Sequence, residues 1–528
     1  MAHRNGFCHY LTAAFAAAPE TPDIGRAYQY IATDVVARFK SLDGFQVHRL
    51  ADVDELRAES IRGAATVTGR ARSPEHLDSD LHEHLQRVLN VSFDRVIRTT
   101  DTEHQNVWRV LWNSMLAKGD LYVDTYAGWY STLDGAFHSG AGVRIGNDGS
   151  CTAASSGVPV EWTRASCYFF RLSRFRERLL AFHRARPDFI TPSSRRPELL
   201  SSLSRELPDI PVALAIEEKR GNSGRSENSL SGGLRGLAGA LAEMAEIVGA
   251  RSDNFPNQPR ILHVIGQDDL HRHAVYWPAV LMSTEIEISY RLFAHGSALG
   301  KSTTVSGATA KPHATDPFEL VRKYGRDRIR YFLLREAPFG SEWEYSHQGV
   351  ISLTENDLAQ NLSTAAYNVL SLLSKHCHGK VPCPSSPCER DMDLVRSADA
   401  LLPQCREYID AQQFHLMLKE IWSVIEDVGR YISAEKPWGL RTTDPNRMNT
   451  IVYTALDVLR TVGVLIQPIV PETATRLLDQ LAVPCRSFNG LDHRIEPGTA
   501  LPEPQRVFPR YRRRPSKESP IAVGATPP

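Results

Sequence analysis

The sequence predicts an α/β unit followed by an α-helical bundle, and two observations carry that assignment. In ILHVIGQDDLHRHAVYWPAVLMS, Ile261 to Ser283, an apolar run stops at Gly266 and an amphipathic stretch with His273, Tyr276 and Trp277 at near-helical spacing follows. That pattern reads as strand, turn and helix. From Ser352 the pattern is helical in ENDLAQNLSTAAYNVLSLLSKH, in LLPQCREYIDAQQFHLMLKEIWSVIEDVGRYISAEKPW and in TIVYTALDVLRTVGVLIQPIV, as a bundle requires. In a parallel α/β sheet the Gly266 junction lies at the carboxyl end of a strand, where ligands bind and a helix N-terminus favours anionic groups.

Composition narrows the class. A chain of 528 residues, 42% hydrophobic, has ample material for several folded cores. Lys plus Arg and Asp plus Glu stand at 61 each, so no global field draws the chain to nucleic acid, although local patches are compatible with it. Eight scattered cysteines do not suggest a disulfide framework. No apolar run reaches the ~18 residues of a membrane span, and the Ala-rich stretch Leu11 to Ala18 lacks the charged start and long apolar centre of a signal peptide. A cytoplasmic protein with no membrane partner is the expectation.

Two segments, Ile261 to Ser283 and DPFELVRKYGRDRIRYFLLREAPFG, Asp316 to Gly340, resemble the methionyl-tRNA synthetases. These are class I aminoacyl-tRNA synthetases with a Rossmann-like catalytic domain, a connective insertion and a helical anticodon-binding domain. The resemblance implies ATP with Mg as cosubstrate, and an amino acid and a tRNA as binding partners.

In chain order, Phe7 to Phe15 reads as the first strand, followed by the loop AAAPETPDIGR and the helix AYQYIATDVVARFKSLDG. The family loop ends in His-Ile-Gly-His, which binds ATP phosphates; here Asp23-Ile24-Gly25-Arg26 stands in its place. Gly25 permits close backbone approach and Arg26 supplies a cation for phosphate, whereas Asp23 repels phosphate or simply caps the helix. The next strand runs into Asp54-Glu55, where the resemblance implies that Asp54 holds the ammonium group of an amino acid. The alternative for Asp54 is a surface or capping carboxylate.

FDRVIRTTDTEHQNVWRVLWNSMLAKGDLYVDTYAGWYSTLDGAF leads into the insertion, with Trp129 and Tyr130 at the family's Trp-Tyr pair. The Cys-x-x-Cys pairs that bind zinc in many relatives are missing, and Cys151 and Cys167 alone cannot build a four-ligand site, so no zinc is expected. EEKRGNSGRSENSLSGGLRG, Glu217 to Gly236, is a Gly/Ser-rich run expected to be flexible. In the central segment Gly266 and Asp268 are the retained parts of a Gly-Lys-Asp element that faces the nucleotide. His273 is retained, and Arg272 replaces an aromatic residue of the amino-acid pocket. Arg272 either selects an anionic ligand or turns outward to solvent.

GSALGKST, Gly296 to Thr303, has three residues between its glycines and no following helix, so it is not a P-loop. The family's Lys-Met-Ser-Lys-Ser loop falls on SGATA, Ser306 to Ala310, flanked by Lys301 and Lys311. Trp438 occupies the place of an anticodon-stacking residue, although a buried core role is expected for it first. Its hydrogen-bonding partners in the family align with Thr364 and Asn368. His376, Cys377, His378, Cys383 and Cys388 match no standard zinc spacing.

The expected division is a first Rossmann-like half over 1–115, a zinc-free insertion over 116–210 and a flexible linker over 211–236. The second half follows over 237–300, a degenerate signature loop and stem-contact region over 301–350, the helical domain over 351–500 and a disordered basic tail over 501–528. With both ATP-binding signatures replaced, the sequence favours a paralogue repurposed to bind or activate an amino-acid-like molecule, alone or with a partner enzyme, for example by coupling it to a hydroxylated amine. A working methionine–tRNA ligase and a non-catalytic tRNA- or partner-binding protein are the alternatives.

Overall fold

A parallel sheet of six strands is the spine of the N-terminal part in the computed structural model. The structure describes residues 8–13, 24–53, 77–98, 101–131, 136–138, 143–146, 149–153, 157–214, 260–296, 298–299, 316–336, 338, 340–341 and 343–511. The chain begins with β1 (Cys8–Ala13), α1 (Ile24–Leu42) and β2 (Gln46–Val53), then α2 (Leu77–Leu89), β3 (Arg95–Arg98) and α3 (Thr102–Ala117). An insertion follows with β4 (Leu121–Ser131), β5 (Ala136–His138), β6 (Val143–Ile145), β7 (Cys151–Ala153), β8 (Glu161–Phe170), α4 (Arg176–Ala185), β9 (Ile190–Thr191), α5 (Arg196–Ser204) and β10 (Ile210–Leu214). The second half contributes β11 (Arg260–Gly266), α6 (Trp277–Thr284) and β12 (Tyr290–His295).

The large sheet runs β3-β2-β1-β11-β12-β9, all parallel. The central strands β11 and β12 are apolar and mostly buried, as helix-covered parallel strands are, whereas β2 and β3 toward the edge carry Arg49 and Arg95. In β11 the alternation is explicit: Val264 packs with Leu11, Tyr28 and Ile31 of the α1 side, whereas Ile261 and Ile265 pack with Trp108, Leu111, Ala274 and Trp277 on the other. Gln29 of α1 donates to the Val264 carbonyl at 2.6 Å and fixes the helix over the sheet.

The insertion is an antiparallel sheet, β10-β8-β4-β5, in which β4 and β8 pair from Leu121 opposite Phe170 to Tyr130 opposite Glu161. Because Ile210–Leu214 pairs with β8, this sheet continues past residue 210, into the stretch expected to be a linker. The Gly/Ser-rich run 217–236 lies outside the described residues.

After β13 (Ala298–Leu299) come α7 (Pro317–Tyr324), α8 (Arg326–Glu336), β14 (Trp343–Glu344) and α9 (His347–Thr354). Asp316 caps α7 by accepting from the Phe318 amide at 2.8 Å, with Pro317 at the first helical position where no N–H is needed. A wide turn of helix, Glu355–Leu362, leads into the bundle of α10 (Ser363–His376), α11 (Glu389–Asp399), α12 (Leu401–Ala411), α13 (Phe414–Glu435), α14 (Pro445–Leu465) and α15 (Pro471–Gln480). Leu456, Leu459, Val462 and Leu465 of α14 are buried among its neighbours.

The bundle docks on α1 through charge as well as apolar area. Arg406 grips Asp43 with two nitrogens, and Lys40 meets Asp410 at 2.6 Å. Arg330 of α8 is fully buried and spends its guanidinium on Asp34 at 2.7 Å and on the carbonyls of Pro468, Ile469, Leu89 and Asn90. One correction concerns the tail: the stretch from 501 was expected to be disordered, yet 501–511 packs on the body. Val507 and Phe508 are buried, and Arg328 lies over the rings of Phe508 and Tyr511 while donating to the Pro509 carbonyl. Apolar residues at 501, 507 and 508 gain more by burial than a free tail does by its entropy. Residues 512–528, including most of the RYRRR run, lie outside the described residues.

Candidate active site

Strand order reverses between β1 and β11: from β1 the sheet proceeds through β2 to β3, and from β11 through β12 to β9. Such a switch point opens a crevice beyond the carboxyl ends of the strands. The topology brings the sequence-selected residues to that edge. Gly25 and Arg26 are in the first turn of α1, which follows β1, and Gly266 ends β11. Asp268, Arg272 and His273 follow Gly266 in the turn that leads to α6. β2 ends at Val53 on the same edge of the sheet.

Asp54, Asp23, Lys301, Lys311 and Ser306 to Ala310 lie outside the described residues, and of Asp268 only the backbone is described. Arg26 sits half-buried in the first turn of a helix whose peptide dipole favours anions at that end, and its charge reaches Tyr30 one turn on. Gly266 has extended backbone, φ −74°, which any residue adopts. A methyl there would meet the His295 ring at 3.6 Å, an ordinary contact, so the glycine leaves space in front of His295 without being demanded by the chain path. His295 in turn stands edge-on to Tyr28, their ring centres 5.4 Å apart.

Arg272 is neither a lone cation nor turned fully to solvent. Its Nη1 donates to Asp269 Oδ1 at 2.8 Å, one helical turn earlier, and the pair is part-buried. Asp269 therefore offsets the positive charge that Arg272 would offer an anionic ligand. His273 is only 3% exposed, and its Nδ1 lies 2.9 Å from the Asp269 carbonyl. A carbonyl oxygen can only accept, so Nδ1 carries the proton. Burial pushes the His273 pKa below the ordinary imidazole value, which leaves the ring neutral and its Nε2 an acceptor. A neutral acceptor imidazole suits an ammonium or hydroxyl donor better than a carboxylate.

Trp438 requires a second correction. A core role was expected first, but it follows the αL residue Lys436 in the turn after α13, and 51% of its surface is exposed. The Pro-Trp turn projects the indole from the bundle because αL backbone at Lys436 ends the helix abruptly. Thr364 and Asn368 lie on α10, Asn368 exposed and Thr364 half-buried.

The sequence reading missed His183, His263, Tyr290 and His295, which surround the turn and come from the insertion and from β11 and β12. His263 is buried beside Tyr290, with ring centres 4.7 Å apart, and 6.4 Å from His273. The available signal was histidine inside apolar strand patterns, LHV and FAH, where a polar ring needs a specific partner. Among the described residues no group of three or more His, Cys, Asp or Glu side chains converges as a metal site, and no helix is long and apolar enough to cross a membrane.

Comparison with known proteins bears on this geometry. A family profile described as "tRNA synthetases class I (M)" matches residues 9–154 and 147–370, and one described as "Anticodon binding domain of methionyl tRNA ligase" matches 381–513. The methionine–tRNA ligase of Mycobacterium bovis is 38% identical over 523 residues, covering 95% of this chain and 98% of that protein. The ligase of Brucella suis biovar 1 is 37% identical over 509 residues, covering 95% of this chain and 98% of its own. Among solved structures, Mycobacterium tuberculosis methionyl-tRNA synthetase in complex with methionyl-adenylate superposes with a TM-score of 0.84 at 38% identity, covering 96% of this chain and 100% of that one.

Proposed function

Because the chain belongs to the methionyl-tRNA synthetase family, with a class I catalytic domain and a helical anticodon-binding domain, we propose that it is an ATP-dependent ligase that activates methionine and transfers it to tRNA. The observation that carries this reading is the extent of the likeness: alignments at 37–38% overall identity cover 95% of the chain, and so span both the catalytic and the anticodon-binding parts. The exposure of Trp438, which the resemblance aligns with an anticodon-stacking residue, supports the tRNA part of this reading. The repurposed reading favoured by the sequence has no comparable support. A cytoplasmic setting accords with the proposal.

In the proposed reaction the amino-acid carboxylate attacks the α-phosphorus of ATP, giving an enzyme-held adenylate and pyrophosphate, and a tRNA hydroxyl then displaces AMP. Phosphates would lie at the N-terminus of α1 against the backbone at Gly25 and the guanidinium of Arg26. Asp54 would take the ammonium group, and His273 Nε2 would accept a hydrogen bond from it or from a neighbouring donor. Mg, when bound with ATP, neutralises phosphate charge.

One set of observations favours a second reading, a relative that activates a different amino acid. Asp23 and the lysine-free 306–310 loop alter the phosphate-binding equipment, and the Asp269–Arg272 pair adds polar groups beside His273. Pyrophosphate exchange across a panel of amino acids, followed by charging of tRNA, separates the two. Methionine-dependent exchange with charging is expected. Exchange with another amino acid alone would establish the second reading, and tRNA binding with no exchange would leave a binding protein.

A further inference from the structure

The segment that carries Arg272 and His273 is not an ordinary helical turn. Residues Arg272–Tyr276 form a wide turn in which the Trp277 amide bonds the Arg272 carbonyl, five residues back instead of four. The next residue is Pro278, which has no N–H. The carbonyl of Ala274, four residues before it, and that of His273, five before it, therefore receive nothing from position 278. Both carbonyls are buried with their residues, and a buried acceptor left unmade costs free energy.

Two side chains from elsewhere in the chain meet these two oxygens. The Tyr290 hydroxyl, on β12, donates to the His273 carbonyl at 2.8 Å. His183 of α4, in the insertion, has Nε2 at 2.8 Å from the Ala274 carbonyl, and since that oxygen can only accept, Nε2 carries the proton. His183 is itself pinned: Arg196 donates to its carbonyl at 2.7 Å, and the rings of Phe182 and Phe189 stand edge-on to it. Tyr290 packs between Phe189 and His263.

We propose that His183 and Tyr290 are positioning residues for the amino-acid site: by donating to the consecutive carbonyls of Ala274 and His273 they hold the wide turn open and so set the place of the His273 imidazole. His183 carries this control into the crevice from α4, the helix that leads into the edge strand β9. Wide turns of this kind recur at functional sites because they re-aim one side chain without breaking the helix. The proposal rests on reading the crevice as an amino-acid site.

The test uses the full-length chain with Tyr290→Phe, which removes only the hydroxyl, and His183→Phe, which keeps a ring but no donor. His183→Gln retains an N–H at nearly the same reach and is the rescue variant. Amide hydrogen exchange read by mass spectrometry is expected to quicken on the order of tenfold across 272–279 in both Phe variants, with α14 unchanged, and to return toward wild type in His183→Gln. In methionine-dependent pyrophosphate exchange the KM for the amino acid is expected to rise about tenfold while kcat holds within about twofold. Unchanged amide exchange over 272–279, or a fall in Tm with the KM unmoved, overturns the proposal. If the wild-type chain shows no pyrophosphate exchange, the functional reading fails by itself, and the amide-exchange comparison still decides the role of His183 and Tyr290.

Discussion

His263, His273 and His183 are buried imidazoles whose pKa values burial drives down, that of His263 to about 3. In the unfolded chain each takes a proton near the ordinary value of about 6.5. The unfolded state therefore binds more protons over that interval, and stability falls as pH drops from about 6.5 toward 3, with the contribution fully present above 6.5. Thermal unfolding between pH 7.5 and 4.5 should show the midpoint falling with acid, and His263→Gln should flatten that fall. At Trp438 the expected effect is on RNA alone: Trp438→Ala should weaken tRNA binding by about tenfold or more, since stacking on one base is worth about 1–3 kcal/mol. Amino-acid-dependent pyrophosphate exchange and Tm should not change, and a Tm that falls instead would return the indole to the core. The sequence displayed His273, Arg272 and Trp438 as residue types in a family pattern, but not their surroundings. Asp269 reads as one more acidic residue in QDD, and only the fold shows it bonded to Arg272. Pro278 was the one local sign of the wide turn, because a proline inside a helical pattern strands a carbonyl four residues earlier.

At the scale of elements, α1 shows what periodicity reveals and what it hides. Its apolar repeat predicts a helix, and Ile24–Leu42 is one, yet polar Gln29, Thr33, Asp34 and Lys40 are also buried. The helix is covered on one side by the sheet and on another by α8 and the bundle; Gln29, Asp34 and Lys40 find partners on other elements, and Thr33 donates to the Gln29 carbonyl within the helix. Arg330 lies 296 positions from Asp34, beyond the reach of any local pattern. Arg330→Met should destabilise the chain by about 3–5 kcal/mol, because it leaves the buried Asp34 carboxylate with Arg38 alone and strips the carbonyls of Leu89, Pro468 and Ile469 of their donor. Chemical denaturation compared with the wild type checks this, and a loss below about 1 kcal/mol would assign Arg330 to a dispensable contact. Strand β11 and the bundle helices were legible because their patterns are long. The 501–511 segment was not, since its few apolar residues are spaced by prolines and charges that read as tail.

The whole molecule follows the same logic. The α1 face of the sheet and the helical bundle share one continuous apolar core, whereas the opposite sheet face and part of the insertion form another, and Ala153, Val158 and Val160 of the insertion form a small third one. Calorimetry of the wild-type chain should therefore show the bundle and the α1 side of the sheet melting together. Arg330→Met should separate their transitions, and two well-resolved wild-type transitions for these parts would contradict a shared core. The fold class and the order of the parts were readable from the chain because strand–turn–helix and bundle patterns each persist over many residues. The docking of those parts was not, because it depends on pairs such as Arg406 with Asp43, whose positions have no sequence relation.

That docking limits how this protein can exchange parts with its relatives. A bundle transplanted from another member would arrive with its own residues at positions 406 and 410 and its own main-chain path at 468 and 469, while Asp43, Lys40 and Arg330 stayed behind in the recipient. A seam drawn at the start of the helical domain thus cuts through a set of matched partners, and a viable hybrid must carry α1 and α8 along with the bundle. Inheritance of the two domains as a unit is built into the surface where they meet.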